Sequence, residues 1–185
     1  VVDVLAALDY VTRDEEGAMR LTAAGATMRR IYGERDLLVA ESLRRGLWSG
    51  LDAPALAAMA CCLVFEPRRD EGADHRMPRG AFLPALQQTQ ELWARLDDLE
   101  TEHRLPGSDP LATGLAQAMH SWARGVPLDR VLDEADLAAG DFVRWCKQTI
   151  DLLDQLSIVA DTPVASTARA ALDAVRRGIV AYSTV

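Results

Sequence analysis

The sequence predicts a mainly α-helical protein, with a partial winged-helix element at its amino end followed by a helical bundle. Three observations lead there. Apolar residues recur at helical spacing through most of the 185 residues, Pro, Gly and Asp punctuate those runs, and strand-like sequence is confined to a short stretch near the start.

Taken in order, Val2 to Leu8 suits a short helix. Tyr10-Val11-Thr12, the polar turn from Asp14 to Gly17, and Met19-Arg20-Leu21 then read as a hairpin, the pattern that ends a winged helix. Thr22 can cap a helix through Ile31, because its hydroxyl accepts a free backbone N–H ahead of the apolar run, and Gly33 interrupts. From Glu34 to Arg45, Leu37, Leu38, Glu41, Arg44 and Arg45 recur at helical spacing, and Gly46 is a stop. Asp52-Ala53-Pro54 is a helix entrance, with Asp as cap and Pro in the first turn, and that helix should run to about Phe65.

Residues 66–79 are charged and rich in turn formers, which predicts an exposed connector. Leu83, Leu86, Gln90, Trp93 and Leu96 trace the covered side of a long helix reaching toward Arg104, where Pro106-Gly107 breaks the pattern. Asp109-Pro110 announces the next helix, carrying Leu111, Leu115, Met119 and Trp122, and Pro127 opens a short connecting element. The last amphipathic run, Val164 to Val180, sets Val164, Ala168, Leu172 and Val175 against Arg169, Asp173, Arg176 and Arg177.

Composition narrows the function. Hydrophobic residues make up 49% of the chain and charged residues 26%, the balance of a folded protein rather than a disordered one. A formal net charge of -8 opposes nonspecific attraction to a polyanion, so any nucleic-acid contact must come from local geometry. Lys147 is the single lysine and follows Cys146 rather than a glycine-rich phosphate loop, so the chain has no sequence basis for binding ATP itself. Cys61, Cys62 and Cys146 lack the spacing of a disulfide framework or zinc site, and fit reduced, partly buried thiols of a cytoplasmic protein. His75, His103 and His120 are scattered, without a metal-binding pair, and read as structural or incidental. No segment has the long apolar core of a membrane helix, and the amino end lacks the features of a signal peptide. Val1 in place of Met sets the expectation that the chain begins inside a larger protein.

The most informative segment is Phe142 to Ile158. Phe142, Val143, Cys146, Ile150, Leu153 and Leu156 share one broad side of a helix, widened by Trp145 and Leu152. Arg144, Lys147, Gln148, Asp151, Asp154 and Gln155 fill the narrower arc opposite. Such a helix can be embedded in a bundle while presenting only a polar strip.

Gly140-Asp141-Phe142-Val143-Arg144-Trp145, followed by Gln148-Thr149-Ile150-Asp151-Leu152-Leu153-Asp154-Gln155-Leu156, resembles the ratchet-helix region of superkiller and exosome-associated superfamily 2 RNA helicases. Ile31 to Leu38, Gly50-Leu51-Asp52, Ala57 through Glu66 and Arg176 to Ala181 are similar in order to the same family's passage from winged helix into its carboxy-terminal (DSH C-terminal) helical domain. With no long inserted arm between these helices, the resemblance is to the bacterial, actinobacterial-like branch. It implies residues 1–32 as the end of a winged-helix domain, and 33–185 as a helical bundle with an internal ratchet-like helix.

Members of that family hydrolyse ATP with two RecA-like motor domains and move along single-stranded RNA. The resemblance therefore implies ATP and Mg2+ in motor domains absent from this sequence, no cofactor in the chain itself, and single-stranded RNA, the motor domains and an RNA-degradation partner as its contacts. It carries a noncatalytic RNA-guiding and scaffolding role onto Arg144, Lys147 and Gln148, with Asp151 orienting a basic group or shaping the channel, since a carboxylate repels phosphate. Arg176 and Arg177 are candidates either for nucleic acid or for a structural cap or motor-domain contact. The alternative is a helical adaptor that binds a protein through the charged connector or the polar face around Glu91, Arg95 and Asp98. No spacing of the carboxylates sets a nucleophile, a base and a transition-state stabiliser in one pocket.

The absence of a nucleotide-binding loop yields the first prediction. The highly purified chain alone shows no RNA-stimulated ATP turnover, since it cannot position Mg-ATP and its attacking water; turnover above that of a catalytically disabled full-length helicase prepared in the same way would reject this division of labour.

Overall fold

The computed structural model describes residues 2–8, 11–13, 19–22, 35–67, 76–105, 108–160 and 162–182. These residues are mainly helical, with one small sheet among them. It divides into two compact units, one of residues Val1–Leu47 and Gln87–Pro110, the other of Trp48–Leu86 and Leu111–Val185.

In the first unit, α1 (Val2–Ala7) precedes β1 (Val11–Arg13) and β2 (Met19–Leu21), an antiparallel pair with Val11 opposite Leu21 and Thr12 opposite Arg20. This is the partial winged-helix element that the sequence predicts. The hairpin turn, the helix expected after Thr22, the Gly33 interruption and the expected domain boundary at 32–33 lie outside the described residues. Helix α2 (Asp36–Arg44) buries Leu38, Val39 and Ala40 together with Glu41. The Glu41 carboxylate is compensated by Arg45, whose Nε lies 2.8 Å away, and by Arg44 at 3.7 Å. Gly46 ends the segment with φ of 67°, a left-handed conformation that glycine adopts without strain. The Arg35 guanidinium donates to the carbonyl oxygens of Asp109 (2.6 Å) and Pro110 (3.1 Å), and Arg44 donates to that of Leu8.

The second unit is built around α3 (Ala53–Val64). Asp52 caps it by accepting the Ala55 N–H at 3.0 Å, Pro54 occupies its first turn, and every residue from Ala55 to Leu63 is buried. Helices α5 (Ala116–Ala123), α7 (Ala139–Val159) and α8 (Thr162–Val175) pack on it. The small side chains Ala57, Ala58 and Ala60 let them approach closely. Helix α6 (Leu128–Ala135) packs on α5, and α9 (Gly178–Tyr182) on α7. Phe142 and Trp122 are both fully buried and meet edge to face, ring centroids 5.8 Å apart.

Three elements differ from the sequence reading. Helix α4 (Phe82–Glu102) buries Phe82, Ala85, Leu86, Thr89, Leu92 and Leu96, whereas Leu83 is 41% exposed and Gln90 is exposed. The covered stripe is the neighbouring one because Phe82, left out of the projected face, has a large apolar area to bury. Helix α5 begins at Ala116 rather than just after Pro110. The Ala112 N–H bonds instead to the Cys62 carbonyl of α3 at 3.1 Å, satisfying an acceptor that the end of that helix leaves open. Leu111, Leu115, Met119 and Trp122 are nonetheless all buried. The final amphipathic run is two helices, broken after Val175 where Gly178 takes φ of 51°. In the connector, Glu66, Pro67, Arg76 and Arg79 are exposed, Pro78 is buried, and residues 68–75 lie outside the described residues.

The core packing predicts unequal costs along one helix. Phe142→Ala destabilises the chain by about 3–5 kcal/mol, because it opens a cavity against Trp122, while Ile158→Ala at a 56% exposed position changes stability by less than ~0.5 kcal/mol. Urea unfolding of the two variants checks the contrast.

Candidate nucleic-acid interface

Helix α7 enters from an extended Ala138 with no side-chain cap, and Asp141 in its first turn complements the positive end of the helix dipole. Its buried side comprises Phe142, Val143, Trp145, Cys146, Thr149, Ile150, Leu152, Leu153 and Leu156. Trp145, at the border of the apolar arc, is buried against Phe65 with ring centroids 5.2 Å apart. Arg144, Gln148, Asp151 and Asp154 are exposed, and Lys147 and Gln155 are half-buried, forming one continuous strip at spacings of three and four residues.

Arg144 lies 4.0 Å from Asp141, with the two side chains 46% and 33% exposed, and its guanidinium carbon sits 4.9 Å from the Trp145 ring centroid. An ion pair this long and this wet contributes at most ~1 kcal/mol, so Arg144 can leave it for a stronger acceptor. Asp151 and Asp154 supply as much negative charge along the strip as Arg144 and Lys147 supply positive charge. The strip is polar and near neutral, with cations at its amino-terminal end.

Arg176 and Arg177 do not share a surface. Arg176 is exposed at the end of α8, whereas Arg177 turns back over the Trp122 ring, its guanidinium carbon 3.5 Å from the centroid. Arg177 donates from Nε (3.0 Å) and Nη2 (2.8 Å) to the Trp122 carbonyl, and from Nη2 to the Val126 carbonyl at 2.6 Å. These oxygens lie at the carboxy-terminal end of α5, where the helix dipole favours a cation. The Trp122 indole Nε1 in turn donates to the Val175 carbonyl at 2.9 Å, closing a reciprocal link between α5 and the end of α8. Burial draws the Arg177 pKa below its ordinary value, with Cys146 opposing; a guanidinium keeps its charge all the same. Arg177 is thus half-buried and bonded to these carbonyls, apart from the strip on α7. Burial, with a smaller contribution from Cys61 and opposition from Arg177, raises the Cys146 thiol, which disfavours the reactive thiolate.

The fold also gathers residues that sequence reading kept apart. Arg76 and Arg79 of the connector, and His120 and Arg124 at the end of α5, line a cavity of about 690 Å³ together with Asp52 and Gln117. No periodicity links positions so far apart in the chain. Among the described residues, no group of three or more His, Cys, Asp or Glu side chains could hold a metal ion, and no helix is long and apolar enough to cross a membrane.

A helical bundle that encloses a long helix and leaves one polar strip on it is the architecture to be identified, and the chain belongs to the DSHCT (NUC185) domain family, whose model matches residues 18–183. This family is found in superfamily 2 helicases of the actinobacterial, HelY-like kind. The chain is 40% identical over 193 residues to a probable helicase HelY of Mycobacterium leprae (strain TN), covering 98% of this chain and 21% of that protein. It is 40% identical over 175 residues to a probable helicase HelY of Mycobacterium tuberculosis (strain ATCC 25618 / H37Rv), covering 87% and 19%. To the DExH-box ATP-dependent RNA helicase DExH10 of Arabidopsis thaliana it is 24% identical over 177 residues, 90% of this chain and 17% of that protein. The chain thus spans about a fifth of the length of the curated relatives it matches.

The two arginines should separate on substitution. Arg177→Ala lowers unfolding stability by about 2 kcal/mol, through loss of charged hydrogen bonds to two carbonyls, and Arg177→Lys recovers little of it because an ammonium cannot fork and stack together. Arg176→Gln stays within ~0.5 kcal/mol of the native chain. Chemical denaturation of the three variants measures the difference.

Proposed function

We propose that this chain is a noncatalytic RNA-guiding and scaffolding region of an ATP-dependent RNA helicase, and that single-stranded RNA runs along the exposed strip of α7. The observation that supports it most is the accessibility of that strip, Arg144 through Asp154, on a helix otherwise buried in the bundle of a helicase domain family. In this reading Arg144 and Lys147 donate to phosphate oxygens, Gln148 bonds to phosphate or ribose, and Asp151 holds a neighbouring cation or shapes the path. Contact is to backbone and shape rather than to a particular base. Arg176, exposed beyond α8, faces either the strand or a motor domain, and Arg177 holds the scaffold under it. ATP and Mg2+ are bound by RecA-like motor domains of the same protein, which acts in the cytoplasm alongside an RNA-degrading partner.

A second reading, a protein-binding adaptor, draws on Glu91, Arg95 and Asp98, which are all exposed on one side of α4. A charged, solvated helix face supports it less specifically than a polar strip on a buried helix supports RNA.

Arg144→Gln with Lys147→Gln, made in the motor-complete protein, tests the proposal. Association with single-stranded RNA weakens roughly tenfold, and the dependence of log affinity on log salt becomes shallower by about 1.4, the contribution of two phosphate contacts to a single strand. ATP binding and thermal unfolding stay close to native. Equilibrium binding at several salt concentrations decides: native affinity and slope in a folded double variant would remove the strand from α7, and unfolding without a binding defect would assign the pair to the scaffold.

A further inference from the structure

We infer that the cavity between α3, the carboxy-terminal end of α5 and the segment around residues 76–79 is a binding site for a phosphate group, separate from the strip on α7. Arg76, Arg79 and Arg124 bring three guanidinium groups to one cavity of about 690 Å³, in a chain whose net charge is -8. None of the three makes an ion pair or side-chain hydrogen bond among the described residues. The acidic group lining the cavity, Asp52, is occupied as the cap of α3, accepting the Ala55 N–H. Three like charges brought to one cavity repel one another, the Asp52 carboxylate offsets only one of them, and a bound anion removes the remaining repulsion.

A second observation comes from the wall of the cavity. His120 lines it at only 9% exposure, and its Nδ1 has no hydrogen-bond partner among the described residues. A buried polar nitrogen left unpaired is unfavourable unless a ligand or water completes it. Asp52 and Arg124 lie within electrostatic reach of the ring and act in opposite directions, while burial favours its neutral form. The end of α5 points its negative dipole this way and the first N–H groups of α3 are largely engaged, so the site depends on side chains rather than on a helix terminus.

Phosphate is the ligand chemistry this set fits. Guanidinium forks match its oxygens in pairs, more than one of them is needed to balance a group that is nearly dianionic at neutral pH, and the cavity is in the size range of small-molecule sites. Gln117, half-buried on the same wall, adds a neutral donor for an ester oxygen or sugar hydroxyl. The phosphate comes either from the end of a nucleic-acid strand or from a free phosphate compound.

The test is titration of the 185-residue chain with inorganic phosphate at constant ionic strength, followed by amide and imidazole NMR signals of residues 76–79 and 117–124. Saturable shifts confined to these residues are expected, with chloride producing none. The exposed triple variant Arg76→Gln, Arg79→Gln, Arg124→Gln should bind at least about tenfold more weakly, and Arg79→Gln alone, the mildest change, should weaken binding measurably if the triple variant folds poorly. Arg144→Gln with Lys147→Gln should bind phosphate as the native chain does, whatever becomes of the strand path on α7. A short oligouridylate with and without a 5′-phosphate then competes: displacement by the phosphorylated strand alone identifies a strand terminus, displacement by neither identifies a free phosphate compound, and both results support the site. Unsaturable shifts, equal binding by the native and arginine variants, or loss of binding in the α7 variant would overturn it.

Discussion

The second unit depends on the burial of α3 on all sides. Its buried stretch, Ala55 to Leu63, contains no polar side chain apart from the thiols Cys61 and Cys62, so water cannot face any part of it without cost. A helix in that position requires neighbours all round, and α5, α7 and α8 supply them with their apolar sides. Its backbone ends must also be satisfied inside the protein. Asp52 does this at the start, and the N–H groups of Phe65 and Ala112 accept the task for the Cys61 and Cys62 carbonyls at the end. The demand at the end explains why the chain near Ala112 runs as irregular backbone and does not begin a helix there.

This constraint decides which parts of the other helices remain wet. Helix α7 has a broad apolar side suited to α3 and α8, and only its narrow polar strip is left for solvent or ligand. The Trp122 and Arg177 pair acts in the same way at the far end of the chain. A cation placed on the last carbonyls of α5, with the indole returning a hydrogen bond to Val175, joins two helix ends through bonds added to those of their own backbone. One of two adjacent arginines is thereby half-buried and tied to the end of α5, and its neighbour is left outside.

The distribution of charge has the same character. In an acidic chain, some of the cations are grouped: on the first turns of α7, and around the cavity at the end of α5. An acidic background weakens nonspecific attraction to nucleic acid, which leaves any binding to groups held in particular positions.

Much of this is legible in local sequence pattern. The polar strip of α7, its buried face, the Asp52 cap, the hairpin and the buried line Val164, Ala168, Leu172 and Val175 follow from local periodicity and capping chemistry, which act over a few residues and leave their mark in a few residues. The covered face of α4 departs from its periodic pattern because Leu83 and Phe82 are adjacent and both apolar, and only the neighbour each one meets decides which of them is buried. The early end of α8, the Arg177 link to Trp122 and the gathering of Arg76, Arg79, His120 and Arg124 come from residues tens of positions apart. By itself the sequence determined the mainly helical class, the apolar side of α7 and the family to which the chain belongs. The tertiary structure alone decided which polar groups are spent on holding helix ends together and which remain free to meet a ligand, because a hydrogen bond or an unpaired charge is a property of two positions in space and local pattern records only one of them.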